Sequence, residues 1–259
     1  MSIKSLLLVI SEIGDEGPLK MAITLAKRHG ANLAALHVIP PPLVFSSGIG
    51  GEIPVAVIEA QQQEAEDAAK AIRAKVEAAA RETGCEIEWR CEQGDTVGIA
   101  AVHARYADMT VTTPDIAGDL VFASATPVIA MPPSANARAL RRLLVAWNGS
   151  RESARAVHDA LPLLEAAESV DVVSIDPPRE AIGIDIARML GRHGIKVEAR
   201  ERLSRGAEVG QILLEEAKTS GADLLVMGAY GHSRFREWVL GGATESALEQ
   251  DKMPVLLSH

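Results

Sequence analysis

The sequence predicts an α/β protein made of two tandem copies of one domain, each a parallel β-sheet with helices on both faces. Three observations carry this expectation. Short aliphatic runs alternate with segments of helical spacing along the whole chain. The series starts again after the linker Pro132-Pro133-Ser134-Ala135-Asn136, so residues 1–134 and 139–259 read as separate domains. Only 3% of the residues are aromatic in a chain that is 47% hydrophobic, so the cores must be aliphatic. A length of 259 residues is enough for two domains of ordinary size.

In the first half, Lys4 to Ile10 is a buried-strand run. Gly17 to His29 has helical spacing, with Leu19, Ile23, Leu25 and Ala26 apolar and Gly30 as its stop. Asn32 to Ile39 is the second strand, ended by Pro40-Pro41-Pro42. Leu43 to Pro54 reads as a Pro-, Gly- and Ser-rich loop, with Gly48-Ile49-Gly50-Gly51 as a flexible flap. Val55 to Thr83 is a long helix with Ala65, Ala69, Ile72, Val76 and Ala80 on one face and charges on the other. Cys85 to Cys91 reads as a strand exposed on one side. Thr96 to Tyr106 is a helix, and Met109 to Thr112 and Val128 to Met131 are strands.

The second half repeats the series. Strands are expected at Arg142 to Trp147, Ser169 to Ile175, Lys196 to Leu203, Leu224 to Met227 and Val255 to Leu257. Helices are expected at Ser153 to Ala166, Ile182 to His193, Glu208 to Thr219 and Ala243 to Lys252. The spacing of matching motifs tests the duplication. Leu6-Leu7-Leu8-Val9 pairs with Arg142-Leu143-Leu144-Val145 at an offset of 136, and Gly94-x-x-Val97-Gly98 with Gly206-x-x-Val209-Gly210 at 112. Ala107-Asp108 recurs as Ala222-Asp223 at 115, and Pro127-Val128 as Pro254-Val255 at 127. The first half therefore carries about 24 extra residues after its second strand and lacks about 12 where the second half has a glycine loop.

That loop lies in the stretch from Ala222 to Leu257, where Gly228, Gly231, Gly241 and Gly242 separate a short strand from a helix. Two readings stay open. The glycines let backbone N–H groups approach an anion at the start of the helix, or they only permit tight turns. In the first half, Thr112 to Gly118 stands where the loop would be, so that half is expected to be structural.

Several classes are disfavoured. A net charge of −9 and a pI near 5.3 argue against nucleic acid or a membrane surface as partner. The N-terminal apolar run is too short for a membrane span, and no cleavage site is visible. Cys85 and Cys91, read as one strand, would lie about 20 Å apart, too far for a mutual disulfide, and a reducing cytoplasm fits best. The seven histidines show no ligand spacing, and His103 and His158 fall within helices as surface or satisfied core residues. A phosphate-binding G-x4-G-K-[ST] and a dinucleotide G-x-G-x-x-G are absent, and no catalytic set or metal site is expected.

Taken together, Leu143 to Ser150, Gly206 to Gly210 and Ala222 to Leu257 resemble the universal stress protein family in its tandem form. The resemblance covers essentially the whole chain. It implies two flavodoxin-like (Rossmann-like) domains with five-stranded parallel sheets of order 3-2-1-4-5, whose last strands, Val128 to Met131 and Val255 to Leu257, pair as an internal pseudo-dimer. A further homodimer is compatible with it. It also implies an adenine nucleotide, ATP or AMP, with or without Mg2+, and no dedicated catalysis. The family's G-x2-G-x9-G-[ST] is matched by Gly228, Gly231 and Gly241, with Gly242 at the hydroxyl position and Thr244 two residues on. Its acidic residue at the end of the first strand is matched by Asn148. Ligands of doubly wound sheets sit beyond the carboxyl ends of the strands. That brings Ala146, Trp147, Asn148 and Ser150 together with Ile175, Met227 and Gly228. The backbone of Gly241, Gly242 and Ala243 would face phosphates, with His232 and Arg234 either reaching them or simply solvated. Trp147 either stacks on a base or packs. Three functions remain in play: a nucleotide-binding stress-response protein, a nucleotide-free scaffold, and a slow ATP hydrolase.

Overall fold

The aliphatic runs all enter one continuous sheet. In the computed structural model, which describes residues 2–42, 54–135, 139–177, 183–229, 242–248 and 253–259, ten strands follow the order β3-β2-β1-β4-β5-β10-β9-β6-β7-β8. The first half supplies β1 (Ser5–Val9), α1 (Glu16–His29), β2 (Asn32–Ile39), α2 (Val55–Thr83), β3 (Ile87–Gln93), α3 (Thr96–Ala104), β4 (Met109–Thr112), α4 (Pro114–Ser124) and β5 (Val128–Ala130). The second supplies β6 (Arg142–Ala146), α5 (Arg151–Leu164), β7 (Ser169–Ile175), α6 (Gly183–Arg192), β8 (Val197–Arg202), α7 (Val209–Ser220), β9 (Leu224–Gly228), α8 (Gly242–Leu248) and β10 (Val255–Ser258).

Central strands are covered on both faces, which is why they read as unbroken aliphatic runs rather than alternating ones. Leu6, Leu7 and Leu8 of β1 are all buried. Leu6 and Leu8 join residues of α1, α2, α5 and α6 in one core, and Leu7 joins residues of α3, α4, α7 and α8 in the other. Each core spans both halves. Every strand pairing is parallel except one: β5 meets β10 antiparallel, with Val128 opposite Leu257, Ile129 opposite Leu256 and Ala130 opposite Val255. The two expected sheets are therefore one. Arg28, at the end of α1, adds a second tie by donating to the carbonyls of Leu140 and Ala166. The outer strands β3 and β8 carry Glu88, Arg90 and Glu92, and Glu198, Arg200, Glu201 and Arg202, which protect those edges from pairing with another chain.

Four expectations need correction. The segment after β4 contains α4, a helix the sequence reading left out. Pro114 starts it, Asp115 favours its positive end, and Ala117, Leu120 and Val121 bury one face. The opening strands match at an offset of 137, not 136. The Asp108 carboxylate accepts from the amides of Lys4 and Ser5, and Asp223 from those of Arg141 and Arg142, which makes Lys4 equivalent to Arg141. Cys85 precedes β3 instead of lying in it, and both cysteines are free. Finally, β3 is exposed more widely than on one side, because as the outermost strand it is covered by only part of α2, where Ala69, Ile72 and Val76 alone are buried. The loop at Leu43 to Pro54, including Gly48 to Gly51, falls almost wholly outside the described residues.

The repeated Ala-Asp motif is thus a fastener between the amino ends of neighbouring strands. Asp223→Ala leaves two amides without their carboxylate acceptor, and the expected loss is about 1–2 kcal/mol by urea denaturation, since both amides regain water at this exposed edge. His103 is satisfied: Arg90 donates to its Nδ1 at 3.1 Å and its Nε2–H donates to Glu92 at 2.6 Å. His158 is exposed on α5.

Candidate functional site

The carboxyl edge of the second half collects most of the residues expected there. Register places them in rows: Ala146 lies beside Val173, and Val145 beside Val226, so Trp147 stands level with Ser174 on one side and Gly228 on the other. Ser258 of β10 lies opposite Gly228.

Trp147 anchors this edge through its backbone, donating its N–H to the Val173 carbonyl at 2.9 Å. Its side chain is half-buried against the core shared by α1 and α5. Ala146 and Ile175 are half-buried against the opposite core, and Met227 is buried within it. Asn148 is exposed, and its Oδ1 accepts from the Ser150 amide at 3.0 Å, which shapes the turn into α5 together with Gly149 at φ +74°. Ser150 caps α5, its Oγ accepting from the Ser153 amide at 3.1 Å.

Gly228 has a definite steric reason to be glycine. A Cβ there would lie 2.5 Å from the Glu152 carbonyl carbon and 2.6 Å from the Ser153 nitrogen, so the first turn of α5 sits directly on the end of β9. Ala243 is half-buried and Thr244 buried in α8, which begins at Gly242. Gly231, His232, Arg234 and Gly241 lie outside the described residues.

Glu152 escaped the sequence reading. Burial raises its carboxyl, but hydrogen bonds from Arg151, from its own amide and from Ser150 outweigh that and hold it below the ordinary glutamate range. A carboxyl depressed on folding adds stability above its unfolded value and loses it as pH falls through the folded one. Glu152→Gln should therefore lower stability near neutrality, where the carboxylate contributes in full, and flatten the acid limb below the ordinary value of 4.5 so that the two proteins converge as pH falls, a difference that denaturant titrations from neutral to acidic pH will read. An acidic limb identical in both proteins would exclude Glu152 as its source.

The first half closes the same edge with its own chain. The amide of Gly17, in the first turn of α1, donates to the Pro133 carbonyl at 2.9 Å. A Cβ on Gly17 would meet the carbonyl oxygens of Pro132 at 2.4 Å, Pro133 at 2.9 Å and Ala135 at 3.1 Å. Three carbonyls of the linker thus crowd the first turn of α1, at the positive end of its dipole. Nearby, the Asp15 carboxylate accepts from the amides of Ser11 and Glu12, and buried His37 bonds the Ile10 carbonyl through Nδ1 at 2.9 Å. Nothing in the sequence signalled this closure, because Gly17 and Pro133 are far apart in the chain. Among the described residues no cluster of His, Cys, Asp or Glu could hold a metal ion, and no helix is long and apolar enough to cross a membrane.

The model of the universal stress protein family matches residues 4–113 and again 139–259. A solved universal stress protein from Archaeoglobus fulgidus is similar in fold, with a TM-score of 0.71 at 16% identity over 97% of this chain and 95% of that one. A universal stress protein solved in complex with cAMP is 26% identical over 47% of this chain and 98% of its own, with a TM-score of 0.38. The universal stress protein Slr1230 of Synechocystis sp. is 39% identical over 69 residues, which is 27% of this chain and only 23% of that protein. With two family domains joined in a single sheet, the chain belongs to the universal stress protein family in its tandem form.

Proposed function

We propose that this protein is a stress-response regulator whose second half binds an adenine nucleotide, ATP or AMP, with or without Mg2+, and holds it rather than hydrolysing it. The observation that carries the reading is the difference between the two carboxyl edges. In the first half the Pro133 carbonyl of the linker accepts from the Gly17 amide, and the Pro132 and Ala135 carbonyls crowd the same first turn of α1. In the second half the edge is shaped by Trp147, Asn148, Ser150, Ile175, Met227 and Gly228, and it carries the glycine spacing of the family's nucleotide binders. The reading puts the protein in the cytoplasm, where an exposed free thiol such as Cys91 persists.

A nucleotide-free scaffold is the second reading. It is favoured by Gly242 where the pattern has a hydroxyl, by Asn148 where it has a carboxylate, and by the tight seating of α5 on Gly228. Calorimetric titration of the full chain with ATP and with AMP separates the two, as does mass spectrometry of small molecules released from the purified protein. Saturable binding of one nucleotide supports the first reading. Heats indistinguishable from dilution for both, with no nucleotide released, leave the scaffold.

A further inference from the structure

We propose that the first half of α2, from Val55 to Ala68, is a docking surface for a basic amphipathic helix of another protein.

The second half of the molecule shows how much helix this place requires. Between β7 and β8, α6 spans 10 residues and is anchored by buried Ile186 and Leu190. Between β2 and β3, α2 spans 29 residues and enters the same core with the same spacing, through Ile72 and Val76. Its one other buried residue is Ala69. No residue from Val55 to Ala68 is buried, so about 20 Å of helix extends beyond the last core contact. Ala, Glu and Gln fill that length, and their propensity favours a helix that packing does not hold.

This half nevertheless carries the pattern of a packed helix. Val55, Ile58, Gln62 and Ala65 continue the row of Ala69, Ile72 and Val76 in alternating steps of three and four, the heptad spacing that keeps one stripe facing a partner helix. The body of the protein buries the row only from Ala69 onward. Val55 is 68% exposed, and Ile58 is half-buried. Gln62 and Ala65 leave the row shallow, so large apolar side chains must come from the partner.

The charges select that partner. Glu59, Glu64, Glu66 and Asp67 lie in this half, which has no Lys or Arg. Glu59 and Glu66 each follow a seam residue directly and line one flank of the row. The ion pairs of α2, Asp67 with Lys70 and Glu77 with Arg73, begin only at its inner end. A second copy of this chain would set acid against acid in a molecule of net charge −9, which disfavours self-pairing. Lys or Arg on the flanks of an incoming helix would complement Glu59 and Glu66.

The test titrates the full chain with a synthetic helical peptide of about three heptads, Leu at its seam and Lys at its flanks, followed by fluorescence anisotropy. Saturable binding that weakens as salt is raised is expected, with a matching peptide carrying Glu at the flanks bound at least about tenfold more weakly. Ile58→Glu and Val55→Glu separate docking from plain charge attraction. Each adds an acid, so attraction alone predicts tighter binding of the Lys peptide, whereas a seam contact predicts binding about tenfold weaker. Their melting midpoints should stay within about 1 °C of wild type, since neither side chain is buried. No binding by the wild-type chain, as when its own residues 43–53 occupy the seam, overturns the proposal. So does equal or tighter binding by both variants, or equal binding of the Glu peptide. Self-association of the wild type that Ile58→Glu abolishes would make the occupant a second copy and overturn it as well.

Discussion

Gly17→Ala is expected to destabilise the protein by about 3 kcal/mol, as over-packing against rigid groups does. The new methyl would lie 2.4 Å from the Pro132 oxygen and 2.9 Å from that of Pro133. Both are backbone atoms, so no rotamer change relieves the contact. Helix propensity works the other way, favouring Ala by roughly 1 kcal/mol in a helix interior and less in a first turn, and it does not win. To make room the linker must lift from α1, breaking the bond from the Gly17 amide to Pro133. At about 2–4 °C per kcal/mol, the midpoint should fall by roughly 6–12 °C. Limited proteolysis should also cut faster around residues 132–135, locating the damage. A midpoint within about 1 °C of wild type would mean that the linker moves at no cost and does not hold α1.

Gly228→Ala should be at least as damaging and should abolish nucleotide binding as well. Its methyl would approach the Glu152 carbonyl carbon at 2.5 Å, the Ser153 nitrogen at 2.6 Å and the Glu152 Cβ at 2.7 Å. Only a displacement of the start of α5 relieves all three. That displacement disturbs the Ser150 cap and the Asn148 turn, and with them the edge proposed to hold the ligand. We expect a loss of about 3 kcal/mol in stability, read by urea denaturation, together with loss of ATP binding by calorimetry. A variant that melts lower yet binds ATP as tightly as wild type would place the ligand away from Gly228.

The sequence and the structure agree wherever local chemistry decides. Gly30 ends α1 in the left-handed conformation that its position after His29 suggested, at φ +61°. Asn32–Ile39 and Val55–Thr83 have the limits the pattern indicated. Helix α4 is hidden in the sequence because its first residues stand where the second half has its glycine loop, and only its buried face of Ala117, Leu120 and Val121 marks it as a helix. The repeat offset slipped by one because Leu6-Leu7-Leu8-Val9 is apolar throughout, and a strand buried on both faces gives no alternation to fix its register. Backbone bonds to Asp108 and Asp223 fix it instead.

For the candidate site, the sequence could name the strand ends because topology alone brings them to one edge. It could not separate Trp147 as packing from Trp147 as stacking, and the half-buried ring against the α5 core shows its packing contacts. Nor could it give Gly228 its reason, which lies in the backbone of Glu152, some 75 residues earlier in the chain.

By itself, then, the sequence determined the α/β class, the duplication, the aliphatic cores and the glycine spacing that the second half alone retains. These follow from periodicity and short-range conformational preference, which act within a few residues. The pairing of β5 with β10 that the family resemblance implied is present, and only the tertiary structure decided that the linker faces Gly17 in the first half and that the buried hydroxyls of Ser174 and Ser258 have no partner among the described residues. Each of these depends on which atoms distant in the chain come within a few ångströms of one another, a quantity that close packing sets and local pattern does not encode.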